Sequence, residues 1–270
     1  FHLLPPTLDS RFSPITDRAG QKEKLRQELE LPARDLLLMF IGSGFVTKGL
    51  DRAIDALASL SHDLQKRTSL IVVGKDDEKR YRKQAERLEV SRQVHFLGGR
   101  PRADVPKLLA AGDLMVHPAY GENTGTVLLE AIAAGLPVLA TDVCGYASHI
   151  KAACAGTVLD SPFEQAALNT QLAAMLTSPE RASWSANGQR YGTFPTLYQM
   201  PCQALDAIHL LESYLPSSEI TTQLDRDIRN VYLRYDLSAF DFHQLFAIGI
   251  SQNRRHPDVE VVRPVSKYRL

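Results

Sequence analysis

The sequence predicts an α/β protein in which parallel strands alternate with helices. Two observations predict this class. Six short apolar runs recur between residues 36 and 159, and the stretches that separate them carry apolar side chains at helical spacing. Alternation of strand and helix over about 120 residues implies right-handed crossovers, and therefore a parallel sheet. The composition, with 270 residues, 44% hydrophobic and 23% charged, is that of a globular chain rather than a disordered one.

The strands are assigned from the apolar runs. The first run, Leu36–Ile41, is apolar at every position, as expected for a strand that is buried on both faces. Five more strands follow, over Ser69–Val73, Val94–Leu97, Leu114–His117, Pro137–Thr141 and Gly156–Leu159.

Helices are predicted between these strands. They cover Lys48–Leu60, Asp77–Leu88, Arg102–Ala111 and Thr126–Ala134. Gly135 and Pro137 end the last of them. After the sixth strand, Ser161–Glu164 has the pattern of a capping box with proline at the first helical position, and predicts a helix toward Leu176. Ser178–Arg181 predicts another helix, which carries Trp184.

The carboxyl-terminal part is predicted to be mostly helical. One helix is expected around Pro201–Tyr214, and a second from the amphipathic spacing of Ile220, Leu224, Ile228 and Val231. Beyond them, a helix capped near Ser238 and a short strand over Val259–Val262 are expected. No run of about 18 apolar residues predicts a membrane span, and the start at Phe1 shows no signal peptide.

Charge and cysteine content limit the classes of function. Residues 1–111 carry 20 basic and 15 acidic side chains, although the whole chain is neutral. This excess fits a phosphate-bearing ligand or an anionic surface, and is too small to predict a nucleic acid partner. Cys144, Cys154 and Cys202 form no CxxC motif and are expected to be free thiols in a reducing cytoplasm. No histidine or cysteine pair has the spacing of metal ligands.

A glycine-rich turn follows the first strand and reads Gly42-Ser43-Gly44-Phe45-Val46-Thr47-Lys48-Gly49. Thr47 stands where a dinucleotide fingerprint needs its third glycine, and Lys48 precedes a glycine rather than following one as in a Walker A loop. The backbone amides of Gly42, Ser43 and their neighbours are nevertheless free to bind an anion. A bound anion would also reconcile Lys48 with the positive end of the following helix. A solvated lysine on a tight turn is the alternative interpretation.

Two glutamates form a second candidate site. Glu122 lies in the loop after the fourth strand, and Glu130 lies eight positions later on the following helix. Gly125 permits a close approach of ligand to backbone, and the amides of Thr126 and Val127 are suited to phosphate. Both carboxylates are expected beside the crevice at the carboxyl ends of the strands. The alternative is that Glu122 is a helix N-terminal charge and Glu130 a surface side chain.

These residues carry a resemblance to a known family. Glu122 and Glu130 match the E-x(7)-E pattern of retaining glycosyltransferases of the family 4 type, which have the two-domain GT-B fold. The segment His117–Ile150 resembles the glucosyltransferases of the lipopolysaccharide core, and GSGFVTKGLDRAIDALASL and VHFLGGR resemble them in the same order. The resemblance covers about residues 1–212. It implies the Rossmann-like carboxyl-terminal domain of a GT-B fold.

The resemblance implies domain limits and site roles. Residues 1–15 resemble an interdomain linker, residues 16–215 a nucleotide-sugar donor domain, and residues 216–270 are an unassigned tail. Lys48 would neutralise the diphosphate, helped by Gly42, Ser43, Gly125 and Thr126 through backbone groups. Glu122 would hold the hexose, Glu130 the ribose, and main-chain groups around Arg100 the uracil. Lys48 and Glu122 are therefore the expected catalytic residues.

Three departures from the family pattern bear on the function. Thr47 stands where the family commonly has arginine, which removes one cationic contact to the diphosphate. Asn123 and Thr124 follow Glu122 where small or aromatic residues are common. The amino-terminal Rossmann-like half, which binds the acceptor in this family, is absent, so this chain is expected to be inactive alone or to work with a separate amino-terminal half.

The expected function is retaining transfer of glucose from UDP-glucose to a lipopolysaccharide core acceptor, without a metal cofactor. The expected location is the cytoplasm, at the inner-membrane face. The main alternative is a non-catalytic remnant that binds a nucleotide sugar or acts as a scaffold. A GT-B-like epimerase has no specific support, and a glycoside hydrolase would leave Lys48 unexplained. His117 is interpreted as a hydrogen-bonded core histidine, and Cys144 as a packing residue.

Overall fold

The computed structural model describes residue 8 and residues 15–198. Within them lies one six-stranded parallel sheet, which confirms the predicted α/β class and the Rossmann-like architecture. All six predicted strands are present with bounds within one residue of those expected. They are β1 (Leu36–Ile41), β2 (Thr68–Val73), β3 (Val94–Phe96), β4 (Leu114–His117), β5 (Val138–Thr141) and β6 (Gly156–Leu159).

The order of the strands places the crevice. The sheet runs β3-β2-β1-β4-β5-β6, so β1 pairs with β2 on one side and with β4 on the other. The register sets Leu38 opposite Leu114 and Met39 opposite Met115. From β1 the chain proceeds toward one edge of the sheet, and from β4 toward the other. The carboxyl ends of β1 and β4 are therefore the topological switch point, where open α/β sheets bind their ligands.

Nine α-helices lie in the described part of the chain, and six of them are in the predicted places. They are α1 (Arg18–Glu28), α2 (Leu50–Ala58), α3 (His62–Lys66), α4 (Lys79–Arg87), α5 (Val105–Ala111), α6 (Thr126–Ala133), α7 (Ala147–Ala153), α8 (Gln165–Thr177) and α9 (Arg181–Gly192).

Helices cover both faces of the sheet. Along β1, Leu37, Met39 and Ile41 pack into a core with α1, α5, α6 and α7, while Leu38 and Phe40 pack into a core with α2, α3, α4 and α8. Side chains alternate between faces along a strand, so a strand that is apolar at every position serves both cores.

Three helices were not predicted, namely α1, α3 and α7. Helix α1 has the sequence RAGQKEKLRQE, and Leu25 is its one fully buried side chain. Without an apolar stripe, a helix leaves no periodic signal in the sequence. Its position is fixed by polar contacts, since Arg18 donates to the carbonyl oxygens of Ala134 and Gly112 at 2.9 Å each.

Two predicted helix ends have different outcomes. Gly135 ends α6 as expected, because its amide donates to Ile132 O and the Leu136 amide donates to Ala131 O, both at 2.9 Å. The predicted capping box at Ser161–Glu164 is wrong. Helix α8 begins at Gln165 without a side-chain cap, and the Ser161 hydroxyl donates instead to Asp142 at 2.6 Å.

Several predictions fall outside the described residues. They are the helix at Pro201–Tyr214, the helices and strand of the tail, Cys202, and all of the linker-like segment except Leu8 and Ile15. Leu8 is 2% exposed, and its amide donates to Leu197 O at 2.7 Å. Among the helices that the structure describes, none combines the length and the apolar character needed to cross a membrane.

Candidate active site at the switch point

The Lys48 and Glu122 side chains meet at the switch point. Lys48 ends the turn after β1, and Glu122 lies in the loop after β4. The Lys48 ammonium donates to Glu122 Oε2, with 20% and 15% of the two side chains exposed. The anion beside Lys48 is thus the Glu122 carboxylate. An ammonium has three N–H donors, so Lys48 can hold this carboxylate and a further anion.

Two glycines make this contact possible. At Gly49 the backbone has a φ of 73°, and a Cβ atom there would lie 2.1 Å from Pro118 O. Only glycine lets the first turn approach the loop after β4 this closely. At Gly42, a Cβ would lie 2.7 Å from Lys48 Cδ, so the missing side chain leaves room for the lysine stem.

The first helical turn of α2 holds the loop before Glu122. Arg52 donates to Pro118 O at 3.2 Å and to Ala119 O at 3.1 Å. Its guanidinium lies between the rings of Tyr120 and Phe163, 3.5 Å and 3.6 Å from their centroids. Stacking of this kind fixes the planar group in one orientation. Arg52 therefore ties the loop to α2.

Contacts with a second segment hold Glu122 from the other side. The Gly145 amide donates to Glu122 O at 3.1 Å, and the Tyr146 amide donates to Thr124 O at 2.8 Å. Cys144 is buried, and burial raises the pKa of its thiol to about 11. A thiol with that pKa is a poor nucleophile, which agrees with the packing role predicted for Cys144.

His117 lies beneath Glu122 and differs from its predicted role. The ring is 0% exposed and stacks on Phe40, and Nε2 is 3.8 Å from Glu122 Oε2. This distance exceeds a hydrogen bond, and neither ring nitrogen has a hydrogen-bond partner among the described residues. The interpretation of His117 as a hydrogen-bonded core histidine is therefore wrong.

The surroundings of Glu122 favour its charged form. Interaction with His117, together with the Lys48 ammonium, lowers the pKa of Glu122 to about 2, against the opposing effect of burial. Burial lowers the pKa of His117, because a charged ring is poorly solvated there. Glu122 is thus an anion, and His117 a neutral ring, near neutral pH.

We expect the His117 ring to stay neutral when the pH is lowered to 6. Burial makes protonation costly and, with the Lys48 ammonium close by, outweighs the Glu122 carboxylate, which favours the charged ring. An NMR titration of the imidazole signals would test this, with His62, whose side chain is 74% exposed, as the reference signal. Protonation of His117 with a midpoint at or above 6.5 would contradict the expected neutrality.

The start of α6 lies next to this pair. Gly125 is the N-cap residue, and no side chain in the described structure caps the helix there. The amides of Thr126 and Val127 belong to the first helical turn, where N–H groups have no partner within the helix. Glu130 lies further along α6 with 14% of its side chain exposed, and its Oε1 is 3.9 Å from Arg102 Nη2.

Two predicted residues have other side-chain contacts. The Ser43 hydroxyl accepts a hydrogen bond from the Lys75 amide at 3.1 Å, so its side chain links the turns after β1 and β2. The Arg100 side chain is paired with Glu28 at 3.3 Å. Arg100 follows β3, which lies two strands from β1. The structure therefore does not bring the Arg100 side chain to Lys48.

Sequence reasoning missed two residues that shape the site. Asp76 accepts a hydrogen bond from the Phe45 amide at 2.7 Å and so fixes the glycine-rich turn. Arg52 holds the loop before Glu122. Asp76 follows β2 at the same edge of the sheet, and this position after a strand was the available signal. No comparable sequence signal marks Arg52.

The sequence around this site matches a known protein family. The model of the family described as glycosyl transferases group 1 matches residues 21–191. The chain belongs to this glycosyltransferase family. This membership confirms the predicted resemblance, and the six-stranded parallel sheet agrees with the carboxyl-terminal domain of a GT-B glycosyltransferase.

Individual glycosyltransferases support the assignment. The lipopolysaccharide glucosyltransferase WaaG of Escherichia coli (strain K12) is 46% identical over 211 residues, or 77% of this chain and 55% of that protein. A D-inositol 3-phosphate glycosyltransferase of Corynebacterium jeikeium (strain K411) is 32% identical over 58% of this chain and 39% of its own. The chain spans about half the length of the curated relatives it matches.

Solved structures that are similar to this chain also include glycosyltransferases. The crystal structure of WaaG, a glycosyltransferase involved in lipopolysaccharide biosynthesis, has a TM-score of 0.71 and 44% identity, covering 77% of this chain and 56% of that one. Anabaena HepE, solved in complex with UDP-glucose, has a TM-score of 0.63 and 25% identity over the same shares of the chains.

Proposed function

We propose that this chain binds the UDP-glucose donor of a retaining glycosyltransferase that acts on the lipopolysaccharide core. The observation that carries the proposal is the contact of Lys48 with Glu122 at the switch point, next to the start of α6. The names of WaaG and of the HepE complex with UDP-glucose support the acceptor and the donor. The proposed location is the cytoplasmic face of the inner membrane.

The diphosphate would lie between Lys48 and the first turn of α6. Backbone amides of Thr126 and Val127 point along the helix axis toward the space beyond Gly125, where the helix dipole favours negative charge. Within the glycine-rich turn, the Gly42 amide was predicted to be free but donates to Val73 O at 2.8 Å, so the amides of Ser43 and Gly44 would be the further donors. Lys48 would neutralise the charge that develops on the leaving diphosphate, and the proposal requires no metal ion for this step.

The hexose would lie against Glu122. Its carboxylate stays charged because of Lys48 and His117, so it accepts hydrogen bonds from sugar hydroxyls. Glu130 would hold the ribose, and main-chain groups around Arg100 the uracil. In retaining transfer, leaving group and acceptor share one face of the sugar. Fixed charges at that face would therefore supply most of the stabilisation.

Transfer to an acceptor would need groups beyond this chain. The matched regions cover 55% of WaaG in sequence and 56% of its crystal structure. We assign acceptor binding to an amino-terminal half that lies outside this chain. The chain alone is therefore proposed to bind the donor without transferring glucose at a significant rate. Addition of the amino-terminal half of a relative is expected to restore glucose transfer.

We expect Lys48→Ala to weaken UDP-glucose binding by about 10- to 100-fold, since a hydrogen bond to a charged group contributes about 1.5–3 kcal/mol. Isothermal titration calorimetry of the full chain with EDTA present measures this. Lys66→Ala is the matched control, because Lys66 is exposed at the opposite end of the sheet. If the Lys48→Ala protein binds UDP-glucose as tightly as the unchanged protein, the proposed site is wrong. If EDTA abolishes the binding of UDP-glucose to the unchanged protein, the metal-free mechanism is wrong.

A further inference from the structure

The surface of α4 carries a concentration of positive charge that the donor site does not use. Five of its nine residues are basic and one, Glu86, is acidic. All five basic side chains are exposed. The preceding residue, Glu78, pairs with Arg82 at 2.6 Å. The other four cations have no carboxylate within salt-bridge distance among the described residues, and they are Lys79, Arg80, Lys83 and Arg87.

These four cations share one face of the helix. Each residue advances by about 100° around an α-helix, which places Lys79, Lys83, Arg87 and Arg80 within an arc of about 100°. Tyr81, which is 1% exposed, and the equally buried Ala85 lie on the opposite side and pack into the core. The four cations therefore lie on the solvent side of the helix, and the Arg80 guanidinium reaches back to 4.7 Å from the centroid of the Tyr81 ring. They extend from the first to the ninth residue of the helix, a rise of about 12 Å.

The arrangement fits a surface with many charges better than a single bound anion. Arg80, Lys83, Gln84 and Arg87 line an open cavity of about 300 Å³ on the outside of the helix. Specific phosphate sites fix their donors in place, often by bidentate arginine contacts. Here the cations are spread along the helix on long side chains, and the cationic face has no exposed aromatic ring of the kind that stacks on nucleic acid bases.

We propose that this face of α4 docks on the anionic headgroups of a lipid bilayer. The inference deepens the proposed function by naming the surface that meets the membrane, but its test requires no donor binding. Helix α4 follows β2, so it begins at the edge of the sheet where Lys48 and Glu122 lie. Docking through α4 would therefore hold the donor site near the plane of the lipid headgroups.

Co-sedimentation of the full chain with vesicles tests the proposal. The vesicles contain about 30 mol% phosphatidylglycerol in phosphatidylcholine, and pure phosphatidylcholine vesicles serve for comparison. Each cation near an anionic surface strengthens binding about fivefold, so four predict a binding constant on the order of 10³ M⁻¹. Binding should weaken steeply as salt is raised, because salt screens exposed charges. Neutral vesicles should not bind.

Charge-reversal variants locate the surface. The variant Arg80→Glu, Lys83→Glu and Arg87→Glu should lose at least about 100-fold in binding to anionic vesicles. The control variant Lys66→Glu, Arg67→Glu and Arg190→Glu changes the net charge equally at exposed positions elsewhere. It should bind anionic vesicles within a fewfold of the unchanged protein. The control variant and the α4 variant have the same net charge, so a difference between them reports the position of the changed side chains.

The expected ordering is strict for these two variants: the control must bind anionic vesicles at least about 10-fold more tightly than the α4 variant. Urea unfolding midpoints within error of the unchanged protein verify that both are folded, since every changed side chain is exposed. Equal losses in both variants would overturn the proposal. So would salt-insensitive binding, equal binding to neutral vesicles, or retention on nucleic acid with no binding to anionic vesicles. Intact UDP-glucose binding in the α4 variant would separate this result from the donor site.

Discussion

Replacement of Gly49 by alanine is expected to lower the free energy of unfolding by about 2–4 kcal/mol. Two effects combine. The left-handed backbone at φ 73° costs a residue other than glycine about 1 kcal/mol or more. A Cβ atom would also overlap Pro118 O at 2.1 Å, and a backbone oxygen can move only if the loop after β4 moves with it. Urea unfolding at neutral pH measures the change.

Gly121→Ala is the matched control, because a Cβ at Gly121 meets no atom within 4 Å. Its effect should stay within about 0.5 kcal/mol, as for ordinary surface substitutions. The displaced loop carries Glu122, so Gly49→Ala should also weaken UDP-glucose binding. Gly121→Ala displaces no loop, and should therefore leave UDP-glucose binding unchanged. Equal stability of the two variants would mean that the close approach of the two loops is not required.

Glu122→Gln is expected to destabilise the protein by about 1.5–3 kcal/mol at pH 7, because the Lys48 ammonium loses its charged hydrogen-bond partner. The pKa of Glu122 falls from its usual 4.5 to about 2 in the folded chain. A lowered carboxyl pKa stabilises the folded state above pH 4.5, and this contribution is lost as the pH falls toward 2. The difference between the two proteins should therefore shrink over that range.

Urea unfolding of both proteins at several pH values between 7 and 2.5 follows this difference. Glu28→Gln is the control: Glu28 forms a half-exposed ion pair with Arg100, which should contribute no more than about 1 kcal/mol. If Glu122→Gln destabilises the protein equally at pH 7 and pH 2.5, the charge of Glu122 does not stabilise the fold.

The strands could be predicted from the sequence because burial on both faces of the sheet leaves a continuous apolar run. Leu36–Ile41 shows this, with five of six residues buried. Helix α1 could not be predicted, since Arg18 and other polar side chains fix its place. Ser161 was misinterpreted because its partner, Asp142, is distant in sequence, and the local pattern matched a capping box by chance.

The candidate site was predicted as a set of residues but not as an arrangement. Lys48 and Glu122 were both identified from the sequence. Their contact, however, depends on the pairing of β1 with β4, and the spacing of apolar residues along the chain does not predict the order of the strands. His117 shows the same limit. Its apolar strand predicts burial correctly, but only the fold reveals that Glu122 lies above its ring at 3.8 Å.

The proposed function requires that the switch point between β1 and β4 binds a nucleotide-sugar donor. A crystal structure of the chain with UDP-glucose is the decisive experiment. We expect diphosphate oxygens within hydrogen-bond distance of Lys48 Nζ and of the first amides of α6, with hexose hydroxyls on Glu122. UDP-glucose bound elsewhere on the chain, with Lys48 and Glu122 in contact only with each other, would contradict it.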